Sequence, residues 1–207
     1  MQAKPKCKIC RRVGEKLFLK GEKCFSQKCL FLRKPSPPGR PPKRRYSKIS
    51  EYAKELKEVQ KVKKTYLMGE KQFRKLIREV LEKKKKENVS ELLMKRLEKK
   101  LFNVVYSAGL TNSRNTAKQL VSHGHFLLND KKINIPSIEV KIGDKIKLRK
   151  KSKENNYFKE KISSIKEKNI NSWLSFDKKK IEISIVSDPF LEEGMKVDIP
   201  LIISFYS

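Results

Sequence analysis

Acidic residues and histidines are in short supply in this sequence. It holds 23 Asp plus Glu and two His, against 52 Lys plus Arg. Long apolar runs are missing as well. None approaches the roughly 20 residues that a membrane-spanning helix requires, and Met1–Cys10 lacks the apolar stretch that marks a secretory leader. A membrane protein is disfavoured accordingly. What is present is positive charge: 52 − 23 gives +29, far more than solubility needs and the electrostatic footprint of a protein that meets a polyanion. Apolar residues still make up 37% of the chain with clear periodicity, so 207 residues can build one medium domain or two small ones.

The most informative stretch runs from Ser113 to Ile133. Ser113 suits a helix N-cap, accepting a hydrogen bond from an orphan backbone N–H, and Gly124 suits the left-handed residue that closes the helix. At 100° per residue Ala117, Leu120 and Val121 face a core. Arg114, Lys118 and Ser122 form a solvent stripe, with Asn115, Gln119 and His123 beside it. The period then drops to two. His125–Leu128 and Lys131–Ile133 flank Asn129-Asp130, a pair suited to a two-residue hairpin turn. Nothing here resembles a catalytic trio: His123 ends a helix and His125 starts a strand, which favours a structural role for both.

All four cysteines lie near the start, as Cys7-x2-Cys10 and Cys24-x4-Cys29 separated by thirteen residues. Two close pairs across a short loop suit a tetrahedral zinc, with an iron–sulfur cluster as the minor alternative. Lys6, Lys8, Arg11, Arg12, Lys23 and Lys28 surround them, and such cations favour thiolate over thiol. Disulfides are the competing reading, disfavoured in a reducing cytosol. The segment has too few apolar residues to fold alone. The prolines of Pro35–Arg45 then bar helix and central strand, giving an extended basic arm whose Arg40, Lys43, Arg44 and Arg45 suit a phosphate backbone.

Tyr52, Leu56, Val59, Val62 and Tyr66 recur at helical spacing, with Ser47 or Ser50 as cap. After Gly69 a second helix places Phe73, Leu76, Ile77, Val80 and Leu81 on one face, and Lys71, Arg74, Lys75 and Arg78 elsewhere. Lys83–Lys86 reads as a frayed end. A third helix is expected to run from Ser90 without interruption to Ala108, closed by Gly109, its second half packing on the Ser113–His123 helix. Beyond Pro136, Gly143-Asp144 turns into a strand of alternating Ile146, Leu148 and Lys145, Lys147, Arg149. Phe158, Ile162 and Ile165 mark a helix, Ile181, Ile183 and Ile185 a strand, and Trp173 and Phe176 fill core before it. From Ile181 onward Glu182, Asp188, Glu192, Glu193 and Asp198 face only Lys196 among basic residues, and Ile199–Tyr206 is apolar. This tail is expected to dock on the Lys- and Arg-bearing helices of residues 46–92.

Ser113-Arg114, Ala117–Val121, His123–Phe126 and the Asn/Lys hairpin resemble an RNA-binding module found in ribosomal small-subunit protein four, pseudouridine synthases and bacterial tyrosyl-tRNA synthetases. Cys7–Gly21, the second Cys pair, Pro37-Pro38-Gly39, Ser50-Glu51-Tyr52, Glu70–Arg74, Asn103–Tyr106 and Phe205-Tyr206-Ser207 extend the resemblance to nearly the whole chain and single out the family of bacterial ribosomal small-subunit protein four. Phe102 departs from the family's usual Asp, Lys100 from its Arg, and Asn115-Thr116 from Ala-Gln. At Lys100 a point charge replaces a bidentate fork.

The resemblance implies an α+β fold: an N-terminal zinc-binding segment with its basic arm (1–45), a discontinuous helical domain (46–92 plus 186–207), and an inserted αα-plus-small-sheet RNA-binding module (93–185). It implies a non-enzymatic constituent of the cytoplasmic small ribosomal subunit. Such a protein binds ribosomal RNA first at a five-prime-domain junction, helps nucleate assembly, neighbours ribosomal small-subunit protein five and contributes to decoding accuracy. Messenger RNA near the entry site is a further partner left open, and no membrane is implied. Cys7, Cys10, Cys24 and Cys29 are the expected metal ligands. Expected RNA contacts are Arg11 and Arg12, the four cations of the arm, Lys71 and Arg74, Lys100, and Arg114, Lys118, Gln119, His123 and Lys131 of the module. The alternatives are an RNA-modifying, pseudouridine-synthase-like enzyme, another zinc-containing RNA binder sharing the module, and a zinc-ribbon DNA-binding factor. The first would need a separate catalytic domain, for which the segments above leave no length.

Overall fold

The computed structural model describes residues 6–39, 49–83, 88–164, 171–177, 180–190 and 197–206. Arg40, Lys43, Arg44, Arg45, Lys84–Lys86, Ile165, Glu192, Glu193 and Lys196 lie outside the described residues. The chain divides into two compact units, Met1–Lys86 with Lys196–Ser207, and Glu87–Met195.

The first unit contains α1 (Lys6–Val13), α2 (Glu22–Phe25), α3 (Leu30–Arg33), α4 (Glu51–Thr65), α5 (Glu70–Glu82) and the last helix, α11 (Ile199–Tyr206). Ser50 caps α4, its hydroxyl accepting from the Ala53 amide at 3.3 Å. Val59, Val62 and Tyr66 are buried from this helix, and Phe73, Leu76, Ile77 and Val80 from α5, at the spacing of one helical face. Tyr52 departs from the stripe: it sits in the first turn, beyond the core edge, 63% exposed and with its ring 5.6 Å from Phe205. α1 packs on α4, where Lys61, buried, meets Glu15 at 2.7 Å.

α11 packs chiefly on α4 and more lightly on α5, burying Ile199 and Ile202. Its polar contacts run opposite to the charge-based expectation. The carboxylates belong to α4 and α5, and the tail donates: Ser204 Oγ to Glu55 (2.7 Å), Tyr206 Oη to Glu70 (2.7 Å) and the Asp198 amide to Glu58 (3.4 Å). Glu70 also pairs with Lys63. The bond from Lys63 and then that from Tyr206 hold the Glu70 carboxyl below the usual carboxylate range. Burial, reinforced by Glu70, pushes the Tyr206 phenol up, so it stays a donor.

A carboxyl whose folded pKa is depressed stabilises the fold above its unfolded pKa, and that contribution is lost as pH falls through the folded value. Because the Glu70 side chain is 49% exposed, solvent screening limits the effect to about 1 kcal/mol or less. Acidification from neutral pH through the carboxylate range should therefore lower the melting temperature of the wild type slightly more than that of Glu70→Gln. Parallel pH–Tm curves for the two proteins would refute this contribution of Glu70.

The second unit opens with α6 (Val89–Glu98) and α7 (Leu101–Ser107). The uninterrupted helix expected here is broken at Lys99-Lys100. The Leu101 amide donates to Ile138 O (2.8 Å), that of Phe102 to Pro136 O (3.2 Å), and that of Val140 to Lys99 O (2.9 Å). Carbonyls distant in sequence thus satisfy the amides that a continuous helix would have used. The N-cap is Asn88, accepting from the Ser90 amide, rather than Ser90 itself.

α8 (Arg114–Ser122) packs on α7, burying Ala117 and Val121, while Leu120 is half-buried. Ser113 caps it through the Thr116 amide at 3.2 Å, and Gly124 closes it at φ +70°. A Cβ at Gly124 would stand 2.9 Å from the end of the Lys132 side chain, which can swing aside, so the positive φ is what favours glycine here. The hairpin β1 (Phe126–Leu128) and β2 (Lys131–Ile133) turns on Asn129 and Asp130, both at positive φ (48° and 65°) as a primed turn demands.

With β3 (Lys145–Leu148), β4 (Leu174–Asp177) and β5 (Glu182–Ile185) the strands make one antiparallel sheet of order β2-β1-β3-β5-β4, and two short helices, α9 (Lys150–Lys153) and α10 (Asn156–Ser164), follow β3. Phe126 on β1 meets Phe158 of α10 edge-on at 6.0 Å. On the other face of the sheet Glu182 pairs with Lys145 (3.4 Å) and Lys147 (3.7 Å). Ile181 precedes β5 at φ +56°, so only Ile183 and Ile185 carry the expected alternation.

Candidate nucleic-acid interface and cysteine cluster

On α8 the capped N-terminus and the contact with α7 fix which side faces out. Gln119 and His123 are exposed and Lys118 is half-buried on that side, with Lys131 and Lys132 exposed on the edge strand β2. Arg114 is placed otherwise than a solvent stripe predicts. Its Nε donates to Asn103 Oδ1 at 2.6 Å, and its guanidinium lies 4.6 Å from the centre of the Tyr106 ring. Asn103 is fully buried and also donates to the Glu98 backbone carbonyl at 3.1 Å. Arg114 therefore braces α8 on α7. Asn103 and Tyr106, which the helical periodicity did not single out, are the partners that hold Arg114.

Lys100 is also buried, at the break between α6 and α7, where its backbone pairs with that of Glu139 in an isolated antiparallel β-bridge. Burial lowers its pKa; Glu139 opposes this, and Arg96 and Lys118 nearby add to it. Positive charge from three chain segments thus converges beside α8. Phe102, in the position where an Asp was usual, is buried core. His125 bonds Ser152 (3.0 Å) and packs 5.5 Å from Phe158. Burial, then His123 and Arg149, lowers its pKa, which suits a neutral structural imidazole.

In the first unit, Lys71 and Arg74 are exposed on the outer side of α5 together with Lys75 and Arg78. Arg12 is exposed. Arg11 is committed: its Nε donates to Ser36 O at 2.7 Å and its Nη2 to Pro37 O at 3.4 Å, tying the start of the proline-rich arm to α1.

The four cysteines come to one place. Cys7 and Cys10 lie on α1, Cys24 on α2 and Cys29 at the start of α3, and all four thiols are free and line one small cavity with Lys6, Lys16 and Lys20. The Lys20 amide donates to Cys24 Sγ at 3.3 Å. Burial pushes the Cys10 thiol up; a backbone N–H from Leu17 pulls it down, and the three other cysteines push it up further. A bound cation would reverse that last effect. Among the described residues, however, no group of three or more His, Cys, Asp or Glu is set to hold a metal ion. The two cysteine pairs thus bring all four thiols to one shared cavity.

Residues 2–98 match the family description Ribosomal protein S4/S9 N-terminal domain, and residues 99–146 match the S4 domain. Small ribosomal subunit protein uS4 of Thermosipho melanesiensis is 44% identical over 205 residues, 98% of this chain and 97% of the relative. The chain belongs to the uS4 family. Its relatives of the same name include those of Syntrophomonas wolfei (42% over 202 residues, 97% and 96% of the two chains) and Thermus thermophilus (38% over 204 residues, 98% and 97%). The boundary between the two matched regions falls at the break between α6 and α7, so the uS4 division coincides with a physical joint in this chain. Among the described residues no helix is long and apolar enough to cross a membrane.

Proposed function

We propose that this chain is a non-enzymatic structural constituent of the small ribosomal subunit, binding ribosomal RNA in the cytoplasmic ribosome. The observation that carries the reading is the outward face of α8, with Lys118, Gln119 and His123 on a helix fixed by its cap and by the Arg114 brace in the region matched as the S4 domain. Rigid cations set the register of a phosphate backbone at little ordering cost. The finer reading is early binding at a five-prime-domain junction, which helps nucleate assembly and contributes to accuracy. Ribosomal small-subunit protein five is the proposed protein neighbour, and messenger RNA a further contact. The module of residues 93–185 would be an insertion in a helical domain closed by the C-terminal segment.

Lys118→Ala should weaken binding to a five-prime-domain RNA fragment and reduce the slope of log affinity against log salt by about 0.7–0.9. An unchanged slope would place the RNA on another face. Arg114→Ala should instead lower thermal stability, because it leaves buried Asn103 short of a donor.

The same reading includes one structural zinc held by Cys7, Cys10, Cys24 and Cys29. Four free thiols on one cavity, two of them receiving backbone N–H bonds, fit a thiolate-binding cation. When bound, such an ion supplies folding energy and no reaction chemistry.

A further inference from the structure

Two cavities flank the outer ridge of α5. One, of about 590 Å³, is lined by Arg74, Ile77, Arg78, Leu81, Glu82, Phe205 and Tyr206. The other, of about 450 Å³, is lined by four cations, Lys71, Arg74, Lys75 and Arg78, and two carboxylates, Glu79 and Glu82, and shares Arg74, Arg78 and Glu82 with the first. The two arginines, one helical turn apart, therefore line both a depression with aromatic walls and a charged one. The rings are held in place. Tyr206 is bonded to Glu70 and lies 5.8 Å from Phe73, and Phe205 meets Tyr206 edge-on at 5.1 Å and Tyr52 at 5.6 Å.

We propose that this cleft takes an unstacked nucleotide of single-stranded RNA, its base against Phe205, Tyr206 and Leu81 and its phosphates on Arg74 and Arg78. The proposal rests on the reading of the chain as an RNA binder and adds a second subsite, in the unit that does not contain α8. Duplex RNA offers phosphates and base edges but no free ring face for an apolar pocket. A splayed nucleotide offers both, in the alternation that the two cavities show. The chain's +29 charge favours a polyanion over a peptide with scattered carboxylates. The pre-ordered rings keep the cost of immobilising side chains on binding low.

The test uses the full-length chain and oligouridine carrying one 4-thiouridine, photo-crosslinked at moderate salt and mapped by mass spectrometry. The crosslink is expected on the peptide that contains Phe205 and Tyr206. Arg74→Gln with Arg78→Gln, both on an exposed helix face, should cut its yield about tenfold, since two phosphate contacts are lost. Replacing the thiouridine's neighbours with abasic sites should leave the yield unchanged, whereas an abasic residue at the bound position should lower affinity about tenfold. Crosslinks that map only elsewhere, an unchanged yield in the double variant, or displacement of the oligonucleotide by polyglutamate at equal charge would each overturn the proposal. Lys118→Ala separates the two readings. If it leaves structured-RNA binding intact while the crosslink stays on Tyr206, the α8 interface fails and the cleft stands; if it weakens structured-RNA binding while no crosslink reaches the cleft, the reverse holds.

Discussion

A chain ended at residue 197, and so lacking α11, is expected to lose amide-exchange protection throughout α4 and α5 while α8 and the sheet keep theirs. α11 buries Ile199 and Ile202, and it packs on helices of the first unit. Each such side chain stabilises by about 1.5–3 kcal/mol when removed from water. Their combined loss is a large share of the roughly 5–15 kcal/mol by which a domain is stable. The hydrogen bonds to Glu55, Glu58 and Glu70 are exposed and replaceable by water, so packing dominates. Ile202→Ala isolates that contribution: it is fully buried, and its truncation should cost about 2–5 kcal/mol. Unchanged protection of α4 and α5 in the shortened chain would mean that these helices stand without the tail.

Features set by neighbours in the chain were legible in the sequence. Ser113 as a cap, Gly124 as a stop and Asn129-Asp130 as a primed turn follow from the chemistry of one residue each, and each is found in place. The break between α6 and α7 was not legible. Nothing local at Lys99-Lys100 ends a helix; the carbonyls of Pro136 and Ile138 do so from the far side of a hairpin. The strand β4 escaped for a related reason. Leu174–Asp177 alternates as a strand should but over four residues only, too short a run to stand out, and it becomes a strand because it pairs along β5.

The candidate interface divides the same way. Helical spacing placed Lys118, Gln119 and His123 on one face correctly, but put Arg114 in solvent, since its partners Asn103 and Tyr106 lie on the preceding helix. Summing charge over the tail also misled. Glu182 faces Lys145 and Lys147 across the sheet, and Asp188 pairs with Lys95 and Lys99, all within the second unit. Only the apolar part of the tail behaves as its composition suggested. Phe205 and Tyr206 belong to that apolar stretch, and both also line the cleft beside Arg74 and Arg78.

The largest single effect should come from removing the proposed zinc. The segment of residues 6–39 buries few large apolar groups, Val13, Leu17 and Leu19 chief among them. At about 1.5–3 kcal/mol each they cannot offset the ordering of that much chain at roughly 1–2 kcal/mol per residue. Zinc in small zinc-finger peptides supplies about 10–16 kcal/mol apparent, more than those three side chains together. Chelation of the full-length chain, or Cys24→Ser, should therefore abolish amide protection across residues 6–39. The loss should not stop there. α1 packs on α4, and buried Lys61 relies on Glu15 at 2.7 Å as well as Glu58 at 3.6 Å, so α4 should lose part of its protection too. α8 and the sheet, in the other unit, should be unaffected. Elemental analysis of reduced, purified protein checks the premise, with one zinc per chain expected. Absence of bound metal, or unchanged protection of residues 6–39 after chelation, would sink the proposal and leave four packed thiols, three of them buried.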